Sequence, residues 1–441
     1  MRFLWPMHGV DRDRLARANA QDLGELETPA EGLTGSHAPA VQAHSSAATL
    51  ESEPCSLARI AFVYFDAGGG HRTSMNALCS MIREQQRPWE IDRLNLQQLL
   101  DSMDPARKLT GLRLQDIYNL MLKKGWTLGA TQLLPVLHAV IRLFHSRIVT
   151  ELEQYWRATR PDVVVSLIPN FNRQLAESVR RISSATPFVT ILTDLADYPP
   201  HLWIERESEF LICGTARAVE QALVAGHPRQ HVFQTSGMLV DPSFYNSPRV
   251  DKRRELESLG LEPERKTGLV LFGGQGSRVM LEIARRLKSF PGLQLIFICG
   301  KNQTLENELW KTPFEIPVFV EGFTKRIPYY MSLADFFIGK PGPGSISEAL
   351  VMGLPVIVER NARTLPQERF NAEWIQAQGV GLVVRSFRHI AKAVEQTLEP
   401  AAFSGFRRNV SALRNRAVFE VPEILEDILR KSKPDMPVEG S

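Results

Sequence analysis

From Arg59 onward the chain repeats one pattern: a short apolar run, a turn of small or glycine residues, then a longer stretch with apolar positions at helical spacing. The first run is Arg59-Ile60-Ala61-Phe62-Val63-Tyr64-Phe65, and residues 162–167, 188–193, 210–213 and 232–235 continue the series. A second series occupies residues 268–271, 293–299, 318–320, 336–338, 356–358 and 381–384. These runs are continuously apolar rather than alternating, which predicts strands buried on both faces, in a parallel sheet covered by helices. Met238-Leu239-Val240-Asp241-Pro242 and the charged stretch through Arg254 separate the two series. The pattern therefore predicts an α/β protein of two Rossmann-like, doubly wound domains, over residues 58–245 and 246–400. Residues 401–441 form C-terminal helices and a tail, and the helices near 401–417 are expected to cross back to the first domain. Residues 1–57 hold much Ala, Ser, Gly, Glu and His with no sustained period, and read as a disordered tail.

Three strand-to-helix turns are rich in glycine, and such turns lie at the ligand-binding edge of open α/β sheets. Asp66-Ala67-Gly68-Gly69-Gly70-His71-Arg72 follows the first strand. Phe272-Gly273-Gly274-Gln275-Gly276-Ser277 follows the run beginning at Gly268. Gly339-Lys340-Pro341-Gly342-Pro343-Gly344-Ser345 follows residues 334–338 and opens a helix that ends near Gly353. Glycines let the backbone approach a bulky anion, and the helix N-terminus offers free N–H groups and the positive end of a dipole. Glu348, one turn into the helix, is placed to accept hydrogen bonds from a ribose diol. The third turn thus reads as a nucleotide site, with diphosphate at Gly342, Gly344 and Ser345. The arrangement is neither a P-loop nor the dinucleotide fingerprint, which argues against an NTPase and an ordinary dinucleotide enzyme.

Composition narrows the classes. The 441 residues favour two domains, and a net charge of +3 carries no nucleic-acid signature. The four cysteines, Cys55, Cys79, Cys213 and Cys299, are scattered without metal-ligand spacing and fit a reducing cytosol. Asp11-Arg12-Asp13 has the form of a metal motif but sits in the N-terminal tail, so no metal is expected. No apolar run approaches the roughly 20 residues that span a bilayer. An amphipathic insertion near residues 105–150 mixes apolar residues with arginines and lysines. Around its turn, Lys123, Lys124, Trp126 and Leu128 suit an anionic membrane surface, while most of the segment suits helices packed on the sheet.

The first and third turns together resemble a known group. Asp66-Ala67-Gly68-Gly69-Gly70-His71-Arg72-Thr73-Ser74 is similar to the first-strand motif of the monogalactosyldiacylglycerol synthases, and Gly342-Pro343-Gly344-Ser345-Ile346-Ser347-Glu348-Ala349 to their nucleotide motif. The chain resembles GT-B glycosyltransferases of the group that also holds the processive diacylglycerol glucosyltransferases and the N-acetylglucosaminyltransferase of peptidoglycan lipid II. The resemblance runs from about Arg59 to the last helices. It implies acceptor binding by the first domain, donor binding by the second, and chemistry in the cleft between them.

An inverting sugar transfer needs a base for the acceptor hydroxyl and positive charge or N–H dipoles for the departing diphosphate. His71 is the base candidate, since a helix N-terminus disfavours imidazolium; the alternative is a histidine that only braces the loop or caps the helix. Asp66 is placed to orient His71 or to act as a second base. Asp194, in Thr193-Asp194-Leu195-Ala196-Asp197-Tyr198, ends a strand and is assigned to acceptor or base positioning, with His201 as a loop brace. Gly69, Gly70, Gly273 and Gly274 join the donor-binding set, and Phe323 stands either beside the uracil or in the core. Pro366-Gln367-Glu368-Arg369-Phe370-Asn371-Ala372 lies where the group holds the donor sugar, which assigns Gln367, Glu368 and Asn371 to it. That stretch has Phe370 where the galactolipid synthases have glycine, and its form is closer to the peptidoglycan enzyme. Lys340 and Arg363 are diphosphate or surface cations.

The function expected is inverting hexosyl transfer from a UDP-sugar to a membrane lipid, diacylglycerol first, giving a β-glycolipid. No cofactor or metal is expected, and the enzyme is placed in the cytoplasm, peripheral on the inner face of the membrane. The alternatives are a UDP-GlcNAc 2-epimerase-like enzyme and a non-catalytic nucleotide-sugar-binding subunit.

Overall fold

A computed structural model of the chain describes residues 57–66, 70–102, 138–139, 141–246, 250–362 and 364–432. The N-terminal tail, Gly69, Lys123, Lys124, Trp126, Leu128 and Arg363 lie outside the described residues. The first sheet comprises β1 (Ala58–Tyr64), β2 (Trp89–Asn95), β3 (Val163–Ser166), β4 (Phe188–Ile191), β5 (Phe210–Cys213) and β6 (Val232–Gln234). Their order is β2-β1-β3-β4-β5-β6, and every pair is parallel. Ile60, Ala61, Phe62 and Val63 of β1 are wholly buried, as a strand covered by helices on both faces requires. The edge strand β2 eluded the apolar-run criterion. Its residues Glu90, Asp92 and Arg93 leave it half-exposed, so it carries no continuous apolar run.

The second sheet comprises β7 (Lys266–Leu271), β8 (Leu293–Ile298), β9 (Val318–Glu321), β10 (Phe336–Gly339), β11 (Val356–Glu359) and β12 (Gly381–Val384). Their order is β12-β11-β10-β7-β8-β9, again all parallel. In each sheet the strand order reverses once, between β1 and β3 in the first and between β7 and β10 in the second. The helices after the flanking strands leave on opposite faces there and open a crevice at the carboxyl edge. The three glycine turns follow β1, β7 and β10, so each borders a switch point.

The chain crosses between the domains twice, at neighbouring places. Helix Pro400–Ala412 stays with the second domain: Val410 enters its core, and Arg407 and Asn409 donate to the Gly353 and Gly379 carbonyls, both at 2.8 Å. Helix Ala417–Ser432 packs on the first domain, burying Val421, Leu425, Ile428 and Leu429 against Ile60, Phe62 and Leu78. Each such side chain is worth roughly 1.5–3 kcal/mol when fully buried. The return crossing therefore lies at residues 413–416, after the helix rather than along it. There Asn415 Nδ2 donates to the Met238 carbonyl at 2.8 Å, and the Arg416 N–H to Ser236 Oγ at 2.7 Å. Tyr245, at the outgoing crossing, packs edge-on against Phe419 with ring centroids 5.1 Å apart. Among the described residues no helix is long and apolar enough to cross a membrane.

Candidate active site

At the first switch point, helix Gly70–Glu84 begins directly after the glycine turn and carries His71 at its first exposed N–H groups. The ring is fixed from the next strand but one, where Thr193 Oγ1 lies 3.1 Å from His71 Nδ1. Burial holds this imidazole far below its ordinary value, at about 4, with the Leu167 carbonyl after β3 working in the other direction. His71 is therefore neutral at physiological pH. If Nδ1–H donates to Thr193, the lone pair is left on Nε2. Asp66 is turned elsewhere: its carboxylate pairs with Arg72 at 2.8 Å, both groups well exposed. The partner of Nδ1 is Thr193, a residue the sequence pattern did not single out.

Asp194 stands next to Thr193 and accepts from Trp203 Nε1 at 2.9 Å. Trp203 is wholly buried, and its own backbone is pinned twice: its N–H donates to Asp197 Oδ1 at 2.7 Å and its carbonyl accepts from Asn172 at 2.9 Å. Burial raises the Asp194 carboxyl to about 6, against the Trp203 hydrogen bond; the charges of Glu368 and Asp197 add to the rise and Lys340 offsets it. Glu368 and Lys340 belong to the second domain, so Asp194 faces that domain across the cleft. His201 is exposed; its left-handed backbone (φ 65°) donates its N–H to Asp197 Oδ2 at 2.9 Å, so it serves the loop through its backbone.

At the second switch point the cradle is backbone. Gly273 and Gly276 take φ of 74° and 61°, the left-handed region that glycine enters without strain. Gly300, at φ 59°, presses on this turn so closely that a Cβ there would lie 2.4 Å from the Gly274 carbonyl oxygen. The Lys301 N–H then donates to that carbonyl at 2.9 Å. Helix Pro343–Val351 starts at Gly342 without a side-chain cap, leaving its first N–H groups for a ligand. Gly344 is exposed and Ser345 half-buried at that mouth.

Lys340 joins the two turns. Its Cε would lie 4.0 Å from a Cβ on Gly273 and 3.2 Å from one on Gly342, and its Nζ pairs with Glu368 Oε1 at 3.3 Å. Glu348, half-buried on the same helix, has its carboxyl raised to about 7 by burial, with the charge of Asp241 adding to the shift. Phe323 is 55% exposed, which removes the core alternative, and Lys301 Nζ lies 5.3 Å from its ring centre. Gln367 is half-buried near the start of helix Pro366–Gln378. Asn371 is wholly buried: its Nδ2 donates to the Pro341 carbonyl at 2.8 Å, and its Oδ1 has no hydrogen-bond partner among the described residues. It braces the Lys340–Gly342 turn from behind.

The structure thus brings His71, Thr193 and Asp194 together on one wall and Lys340, Gly342, Glu348 and Glu368 on the other. Thr193 was missed as a positioning group because its partner His71 lies far away in the sequence, whereas Trp203 and Asp197 bond within their own loop. A strand-end Thr-Asp pair followed by a tryptophan was the available signal.

Residues 268–424 match the Glycosyltransferase family 28 C-terminal domain. Over 418 residues the chain is 28% identical to the chloroplastic monogalactosyldiacylglycerol synthase of Spinacia oleracea, covering 86% of this chain and 74% of that protein. It is 26% identical over 407 residues to monogalactosyldiacylglycerol synthase 1 of Arabidopsis thaliana, covering 85% and 71%. Among solved structures, the S. aureus MnaA–UDP co-structure is similar with a TM-score of 0.57 at 13% identity, over 86% of this chain and 99% of that one. Acinetobacter baumannii MurG is similar with a TM-score of 0.56 at 12% identity, over 84% and 99%. The structural likenesses bear on the fold, which is the two-domain GT-B arrangement, and the family domain with the sequence relatives shows this chain to be a sugar-transferring enzyme.

Proposed function

We propose that the enzyme transfers a hexose from a UDP-sugar to a membrane-lipid acceptor, diacylglycerol first, with inversion to a β-glycoside. The observation that carries this reading is the meeting of two glycine turns at Lys340, opposite the neutral His71 and the raised Asp194. The uncapped N-terminus of helix Pro343–Val351 and Lys340 receive the diphosphate, and Glu348 the ribose. Phe323 offers an exposed face to the uracil. Gln367 and Glu368 approach the sugar. The acceptor oxygen attacks the anomeric carbon, its proton passes to His71 Nε2, and the bond to the β-phosphate oxygen breaks to release UDP. Lys340 and the helix N–H groups hold the charge that develops on the leaving group, so no metal is required.

The lipid acceptor is supported by the relatives, which are named as synthases of monogalactosyldiacylglycerol. The reading places the enzyme peripherally on an anionic membrane surface, on the cytoplasmic side. Flotation with liposomes, with and without anionic lipid, checks this: binding to neither removes the membrane part. The test of function is a product assay with diacylglycerol micelles, EDTA, and UDP-glucose, UDP-galactose or UDP-GlcNAc in turn, read by mass spectrometry. A hexosyl-diacylglycerol names the sugar and shows that no metal is needed. Interconversion of the sugar nucleotide without a glycolipid would replace this reading with a 2-epimerase-like one.

A further inference from the structure

The two domains are tied by chain at the double crossing. Beside the candidate chemistry they meet through a pair of rings. Tyr198 and Phe370 have centroids 5.5 Å apart and planes inclined by 39°. Tyr198 lies four residues past Asp194, and Phe370 lies between Glu368 and Asn371. Because Asp194 feels the charge of Glu368, the ring pair lies alongside the facing carboxyl groups.

Both rings stand on rigid supports. The loop bearing Tyr198 is held by Asp197, whose backbone N–H and carbonyl are both bonded to the Gln221 side chain, at 2.9 and 2.8 Å. The Tyr198 hydroxyl accepts from Arg217 at 2.9 and 3.1 Å, and Arg217 is itself paired with Glu220. Phe370 sits on a helix anchored by Asn371 to the Pro341 carbonyl and by Glu368 to Lys340. At a spacing of three residues Phe370 shares a helix face with Gln367, so it borders the residue assigned to the donor sugar.

We propose that Tyr198 and Phe370 form a gate at the hexose end of the donor site. When the rings meet, they exclude water from the anomeric carbon; when they part, the sugar enters. The gate controls a partition. Attack on the anomeric carbon by the acceptor hydroxyl gives glycoside and UDP, whereas attack by water gives free hexose and UDP. Aromatic contacts of this kind are worth enough to change a population by about two- to tenfold.

The inference rests on the UDP-sugar transferase reading, and its test separates the two. Variants Phe370→Gly, Tyr198→Ala, Tyr198→Phe and the double truncation are compared in three measurements. These are the ratio of UDP released to glycoside formed, UDP affinity by calorimetry, and hydrogen exchange over residues 196–200 and 366–372. Each truncation is expected to raise the ratio by about two- to tenfold, with UDP affinity within about twofold of the parent. The double variant should match the single ones, Tyr198→Phe should match the parent, and each truncation should speed exchange in the other ring's segment. An unchanged ratio, additive effects, or unchanged exchange across the cleft overturns the gate. A parent enzyme that releases no UDP from any UDP-sugar overturns the transferase reading instead, while the exchange data still decide whether the rings hold the domains together.

Discussion

Both domains are doubly wound parallel sheets with one switch point each, and they use it differently. In the second domain the ligand edge is made of backbone: left-handed glycines, an uncapped helix, and a carbonyl pressed by Gly300. In the first domain it is made of side chains, each dependent on a partner: His71 on Thr193 after β4, and Asp194 on Trp203 of the same loop. Backbone fixes geometry and needs no proton, which suits a diphosphate common to every donor. Side chains in a buried setting have shifted protonation, which suits the step in which a proton moves. The shifts run in opposite directions, the histidine down to about 4 and the aspartate up to about 6.

The largest test of this contrast is His71→Ala, which should lower transfer roughly a hundred- to ten-thousand-fold and leave UDP affinity intact. Full transfer in that variant would remove the base assignment. The pH profile sharpens it. A base must be deprotonated, so kcat/KM rises with pH through the base's own value. An acid limb near 4 identifies His71, and one near 6 that disappears in Asp194→Asn identifies the carboxylate. Next in size, Lys340→Ala should weaken UDP binding by about ten- to a hundredfold in calorimetry, through loss of a charge-assisted contact. It should also move any Asp194-dependent limb upward, because Lys340 holds that carboxyl down.

Gly300→Ala tests the backbone half. A side chain at φ 59°, against a carbonyl 2.4 Å away, should destabilise the fold by about 1–3 kcal/mol in denaturant titration. Glu348→Gln should do the reverse. The folded carboxyl is raised to about 7, so its ionisation opposes folding increasingly from the unfolded value up to about 7. The glutamine variant should therefore gain melting temperature over the parent at pH 8 and little at pH 4, while binding UDP less well. Smallest is Asp66→Asn: an exposed pair with Arg72 contributes at most about 1 kcal/mol, and transfer should stay within about twofold. A large loss would return Asp66 to the chemistry.

The second domain was the more legible in sequence. Its strands are continuous apolar runs, and Gly273 and Gly276 stand at positive φ, so the strand-to-helix turns and the helix that carry Gly273, Gly342 and Glu348 are visible in the sequence. The first domain was read less completely. Its edge strand β2 alternates too weakly to register, and the bond from Thr193 to His71 spans 122 residues. Partners of that kind come from the packing of separate strands, which no local pattern carries. Asn371 shows a related limit. The resemblance implies that it meets the sugar, and its Nδ2 reaches back to the Pro341 carbonyl, a contact between elements that no local pattern carries.

The paired crossings, joined by Arg416–Ser236 and Asn415–Met238, bear on how the cleft can work. One tether lets two bodies swivel freely about each other. Two tethers side by side, stitched by hydrogen bonds, leave chiefly one axis of rotation. The molecule is built as a door rather than a ball joint: it can swing wide for substrate and return His71 and Lys340 to the same alignment at every turnover.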